Sequence, residues 1–297
     1  MKIKFLYIFL FMVPGILLYT MFVAYSFGYS LSLSFFSWPG VGPKIFVGFQ
    51  NYKDALVGIY STEFFRALSH NVYFFALVTL LELGLGFLLA LALATQLRGY
   101  HVFQTIVFMP NIISLVMVGF IWGMLLNPQI GLINEFLRSV RLGGLARGWL
   151  GDSDIVLTVI ILVNVWRNVG FYILILLAAI LNIPPEFFEA AYIDGATNLK
   201  ITWHIVLPLV KPTFQTLTIL LFIWSFNVFD LVYALEGVQA GPFRSTDVLG
   251  TLFYRTAFGG LGSARLDLGL GATVASLIFV IVFPVSILYV YFVERKS

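Results

Sequence analysis

Six apolar stretches, each long enough to cross a bilayer as a helix, limit what this chain can fold into more than any other feature. They fall at about Phe5–Phe27, Val72–Thr95, Thr105–Leu126, Ile155–Leu181, Thr213–Leu235 and Gly269–Val293. A helical span needs ~20 predominantly apolar residues. Lipid offers the backbone no hydrogen-bond partners, so a helix must satisfy its own. The expected fold is therefore an all-α integral membrane domain of six transmembrane helices over residues 1–297. Composition agrees, since 60% of residues are hydrophobic and only 10% charged, against roughly a quarter charged in soluble domains. The absence of Cys excludes disulfides and thiolate metal sites. His70, His101 and His204 lack ligand spacing, so no metal site is expected. A net charge of +3 without a basic run gives no reason to expect nucleic acid.

The first stretch invites confusion with a signal peptide, because Lys2 and Lys4 precede it and Ala24-Tyr25-Ser26 loosely resembles a cleavage site. Its apolar run exceeds the ~7–15 residues of a signal core. It reads as a retained span.

One polar interruption stands out, the loop from Ile183 to Pro212, IPPEFFEAAYIDGATNLKITWHIVLPLVKP. Pro184-Pro185 suits a helix start, where a missing N–H costs nothing. Glu186 and Glu189 then lie where the helix dipole favours negative charge. Gly195 is an expected stop, and Thr197 or Asn198 an expected cap for a second helix running toward Pro208. Phe187, Phe188, Ala190, Ala191 and Tyr192 form a broad apolar arc containing two small residues. Such an arc suits either docking by a partner or contact with lipid headgroups.

Glu189-Ala190-Ala191, Gly195, and Ile205-Val206-Leu207-Pro208, at these spacings, resemble the EAA loop of binding-protein-dependent ABC importer permeases. The flanks are similar to the version in sugar-importer permeases related to the larger maltose permease and the glycerol-phosphate permease. Weaker likeness runs from about Phe46 to Phe292, including Phe46–Tyr52 and Gly131-Leu132-Ile133-Asn134. One departure is clear. Many relatives carry a Gly-Gly-Pro turn after the fifth span, where this chain has Glu236–Pro242 and Thr246.

The resemblance implies a type I ABC importer permease fold with a cytoplasmic EAA coupling loop. It also implies a second homologous permease, two ATPase subunits that bind ATP and Mg, and an external solute-binding protein. Coupling to the ATPase would rest on Phe187, Glu189, Ala190, Ala191, Asp194, Gly195, Ile205 and Pro208. This chain lacks a Walker-type phosphate loop, a nucleophile elbow and an HExxH zinc motif. It is read as a transport subunit with no catalytic residues, metal or cofactor of its own. The density of Lys and Arg on short flanks puts both termini and the loop in the cytoplasm, as a multi-pass protein of a bacterial or archaeal inner membrane.

Charged residues inside a span are costly and face a partner or a watery cavity. Glu82, Arg167 and Asp230 are the three such residues here. Asn227 and Asp230, three apart, are expected on one helical face, with Phe226 beside them. By resemblance to the maltose permease, these three contribute to a sugar site. Asn168, Gly170 and Tyr172 in the fourth span join them, because relatives line the cavity from that neighbourhood. Arg167 is expected to pair with Asp230 or Glu82, or else to hold an anionic group on the ligand. Glu82, beside Gly84 and Gly86, reads as a structural partner. The expected function is the permease subunit of an ATP-driven sugar or oligosaccharide importer. Glycerol 3-phosphate or another small polar ligand is the alternative within that class, and an ion-coupled secondary transporter the alternative outside it.

Overall fold

The computed structural model describes residues 2–95, 99–259 and 266–294. Arg98, Arg265, Arg295 and Lys296, which count among the basic residues that set the expected orientation, lie outside the described residues. By its internal contacts the chain divides into two compact units, residues 1–65 with 252–280 and residues 66–251 with 281–297. Among the described residues, five helices are long and apolar enough to cross a membrane, and a sharply bent pair makes a sixth candidate.

The first unit opens with α1 (Lys2–Tyr19), which continues through a π turn at Thr20–Ala24 into α2 (Tyr25–Leu33). The helix thus runs beyond the expected end at Phe27. From Tyr7 to Leu31 most of its apolar side chains are exposed, as a lipid-facing helix requires. A short hairpin follows, β1 (Phe36–Ser37) on β2 (Ile45–Phe46), then α3 (Gln50–Leu56). The Phe46–Tyr52 signature has a structural use. Buried Asn51 donates from Nδ2 to the carbonyls of Ser34 and Phe36 at 2.9 and 2.8 Å. Those carbonyls lie past the end of α2, where no helical donor reaches them.

The second unit carries most of the core. It contains most of α4 (Ser61–Val78), a π turn at Thr79–Leu83 and α5 (Gly84–Ala94). Next come α6 (Tyr100–Ile112) and α7 (Leu115–Leu125), which meet at a 99° bend. The span expected at Thr105–Leu126 is therefore a broken one. The cause is local: Ser114 is extended, and its side chain accepts from the Met117 N–H to start α7 afresh. After α8 (Leu132–Ser139) the chain enters α9 (Val156–Leu181), which holds many of the buried residues. Asn134 is buried and ties the segment from 128 to 149 together. It donates to the carbonyls of Pro128 and Arg147, and its Oδ1 accepts from the Arg147 N–H and Trp149 Nε1.

The polar loop begins with α10 (Pro185–Ile193), with Pro185 at its first turn. α11 (Asn198–Ile201) runs through a π turn at Thr202–Val206 into α12 (Leu207–Phe226). The second loop helix does not stop near Pro208. It is continuous with the fifth apolar helix, from Asn198 to Phe226. That helix then ends nine residues before the expected Leu235, because Asn227 and Phe229 leave helical geometry before α13 (Asp230–Glu236). The chain closes with α14 (Leu249–Phe258) and α15 (Leu268–Glu294).

Candidate translocation cavity and coupling helix

A cavity of about 400 Å³ opens where α9 faces the bend between α6 and α7 and the break between α12 and α13. Its polar wall comes from Asn111, Asn164, Arg167, Asn168, Asn227 and Asp230. Phe171 and Trp224 supply ring surface, with centroids 6.0 Å apart. Broken helices produce this wall. A continuous helix keeps its backbone and side chains on one regular surface, whereas the two breaks turn polar residues toward one space.

Asn227 and Asp230 reach the cavity for a reason other than the one expected. They do not share a helical face, because the helix stops between them; Asn227 folds back to donate to the Ile223 carbonyl at 2.7 Å. Asn168 is on the wall. Gly170, Tyr172 and Phe226 are not among the lining residues. Gly170 is buried against α6, where an added Cβ would lie 2.8 Å from Phe108 Cα. Tyr172 and Phe226 are buried in the protein interior. Asn168 and Tyr172 diverge because α9 is enclosed on several sides, so its polar and aromatic residues are divided between cavity and core.

Arg167 pairs with neither Asp230 nor Glu82. Its guanidinium donates to Asn168 Oδ1 at 2.8 Å and to the carbonyls of Asn111 and Ile113 at 3.2 and 3.3 Å. Those carbonyls are free because α6 ends there. Asn111, Asn164, Phe171 and Trp224 were not among the expected site residues. The asparagine spacing 164, 168 was a usable signal, since residues four apart meet on a helix. Asn111 and Trp224 depend on where other helices break.

At the other end of α9, α10 carries the expected coupling residues Phe187, Glu189, Ala190 and Ala191, with Asp194 and Gly195 in the turn after it. Glu186, Phe187, Glu189, Ala190, Tyr192, Ile193 and Asp194 are exposed. Ile193, outside the expected apolar arc, is 86% exposed. Ala191 is a correction to that arc, because it is buried at the floor of a groove formed with Glu186, Phe187, Ala190, Asp194 and Ile205. Glu189 lines a different hollow, of about 640 Å³, with Phe188 and Tyr192. Pro208 lines neither. Gly195 has φ +72°, and the N–H groups of Gly195 and Ala196 donate to the carbonyls of Tyr192 and Ala191. This left-handed stop is one that glycine adopts without strain. Thr197 then caps the next helix, accepting from the Lys200 N–H.

Long apolar helices around an open polar cavity, with a short exposed helix between two of them, define a multi-pass membrane permease. The chain belongs to the family of binding-protein-dependent transport system inner membrane components, which it matches over residues 82–297. It is 31% identical over 287 residues to a probable ABC transporter permease protein of Pyrococcus horikoshii, covering 96% of this chain and 94% of that one. It is 30% identical over 283 residues to the sn-glycerol-3-phosphate transport system permease protein UgpA of Yersinia enterocolitica, covering 90% and 91%. Its fold matches a chain in the crystal structure of a bacterial ABC transporter involved in the import of the acidic polysaccharide alginate. The TM-score is 0.84 at 24% identity, covering 100% of this chain and 97% of that one.

Proposed function

We propose that the chain forms one half of the translocation pathway of an ATP-driven importer for a sugar or oligosaccharide. Both termini and the 183–212 loop lie in the cytoplasm. A second homologous permease completes the pathway, two ATPase subunits hold ATP and Mg, and an external binding protein delivers the ligand. One observation carries this reading: the helices on either side of α10, namely α9 and the continuous helix ending in α12, both line the cavity. A force applied at the loop therefore reaches the ligand wall through two helices, which is the two-ended element that coupling requires.

In this mechanism α10 seats Phe187 and Ala190 against an ATPase subunit, with Ala191 at the base of the contact. Glu189 meets a basic residue there. Closure of the ATPase dimer pulls α10, and α9 and α12 move with it, switching the cavity between the two sides of the membrane. Aromatic faces of Phe171 and Trp224 suit the C–H surfaces of a sugar ring, while Asn168, Asn227 and Asp230 suit its hydroxyls. Arg167 supports a second reading, in which the ligand carries an anionic group.

The test is uptake by the assembled importer in proteoliposomes. Maltose, glycerol 3-phosphate and an alginate oligosaccharide serve as neutral, phosphorylated and uronate probes. ATP-dependent uptake of a neutral or uronate saccharide is expected. Preference for glycerol 3-phosphate or the uronate over maltose would favour the second reading, since both carry an anionic group. Uptake driven by a proton gradient without ATP would refute both.

A further inference from the structure

Glu82 is fully buried and lies outside the cavity lining. It sits in the π turn Thr79–Leu83, a local widening of the kind often found at functional sites. Its Oε1 accepts from Asn164 Nδ2 at 2.9 Å. Asn164 Oδ1 accepts from Asn168 Nδ2 at 3.1 Å. Asn168 Oδ1 accepts from Arg167 at 2.8 Å and from Asn111 Nδ2 at 3.2 Å. The side chains thus form one directed chain, with an acceptor at the buried end and a donor-only guanidinium at the other.

Direction matters because an amide has two different ends. An acceptor at Glu82 obliges Asn164 to turn its NH₂ inward and offer its oxygen to Asn168. Asn168 must then present its NH₂ to Asn164, and its own oxygen is filled by Arg167 and Asn111. What remains for a ligand on the α6–α9 side of the cavity is mostly N–H, namely one hydrogen each on Asn164, Asn168 and Asn111 and the unused hydrogens of Arg167, while the acceptors Asn227 and Asp230 belong to the α12–α13 side. We propose that Glu82 is a positioning residue for the cavity, fixing the sense of the Asn164 and Asn168 amides so that the wall offers donors to the oxygens of an oxygen-rich ligand. The proposal deepens the importer reading and rests on this cavity being the ligand path.

The experiment uses the assembled importer and whichever of the three probes above it takes up fastest. Glu82→Gln keeps a carbonyl acceptor and should hold maximal uptake within about twofold. Glu82→Met removes it at similar size and should lower maximal uptake roughly tenfold, the scale expected when a connected network loses one member. In an Asn164→Ala background, Glu82→Met should add less than about a further twofold. Losses that multiply, wild-type uptake in Glu82→Met, or equal losses in Gln and Met would overturn the proposal.

A pair of variants covers the case in which Glu82→Met fails to assemble. Asn164→Asp sets two acceptors against each other and should cost roughly tenfold. Adding Glu82→Gln restores a donor facing an acceptor and should recover most uptake; no recovery overturns the proposal. If the wild type takes up none of the probes, the importer reading fails separately. Thermal unfolding of the Glu82→Met and Asn164→Ala single and double variants then decides the positioning role. Non-additive shifts support it, and additive shifts overturn it.

Discussion

Replacing Gly170 by Ala tests how closely α6 and α9 are packed beneath the cavity. A Cβ at residue 170 would sit 2.8 Å from both Phe108 Cα and the Val107 carbonyl carbon, and closer still to the Val107 oxygen. Carbon atoms pack best at about 3.5–4.0 Å, so the helices must part by roughly 0.7 Å or more. All three obstacles are backbone atoms, and no side-chain rotation relieves them. Overpacking costs about 1–3 kcal/mol; a backbone clash belongs at the upper end, near 3 kcal/mol. At ~2–4 °C per kcal/mol for a chain of this size, the unfolding temperature should fall by roughly 6–12 °C. The same displacement draws Asn111 away from Asn168, whose hydrogen bond is already 3.2 Å, so uptake should fall too. Tryptophan fluorescence during heating in detergent measures the first effect. Gly123→Ala is the control, because beyond its own helix backbone nothing lies within 4 Å of its added carbon. If Gly170→Ala unfolds together with that control, the close-approach argument is wrong.

Other perturbations act on separate parts. Asn134→Ala removes the partner of four hydrogen-bonding contacts and should destabilise the segment around it by about 3 kcal/mol, since orphaned buried groups cost ~1–3 kcal/mol each; faster proteolysis between residues 128 and 149 is the readout. Gly195→Asp or Glu189→Lys should abolish ligand-stimulated ATPase activity while the binding protein still holds its ligand. Normal activity in vesicles would contradict the role given to α10. Glu236 lies beyond the spanning helix, and burial pushes its carboxyl from 4.5 up to about 7. The folded state then holds that proton more tightly, so its stabilising effect is complete below about pH 4.5 and is lost as pH rises through about 7. Melting curves across this window should fall with pH in the wild type and flatten in Glu236→Gln.

Helix existence and the rim loop were readable from residue order because both depend on local rules. Apolar runs set the helices, Pro185 and Gly195 bound α10, and Thr197 caps its successor. The cavity was readable only in part. Resemblance to relatives pointed to Asn168, Asn227 and Asp230, all of which line the cavity, yet the regular helix assumed through Phe229 does not exist. Breaks at residues 113–114 and 227–229 arise where side-chain caps and tertiary packing override a run that stays mostly apolar despite Asn111, Ser114, Asn227 and Asp230. Burial on α9 was harder still, since a helix enclosed on several sides gives no clean periodic stripe; Tyr172 and Asn168 could not be assigned to different surroundings by spacing alone. Arg167 was expected to seek a carboxylate. It found the carbonyls freed by the end of α6, which no reading of charges could anticipate.

The π turn at Thr202–Val206 stands between α11 and α12, on the route from the rim to the ligand wall. A regular α-helix pulled at one end has two responses, to tilt or to snap. A helix storing one surplus residue has a third, because taking that residue into the regular winding turns everything beyond it by about 100°, the rotation of a single residue at 3.6 per turn. In the importer proposed above, a pull on the loop would thereby be turned into a rotation of Trp224.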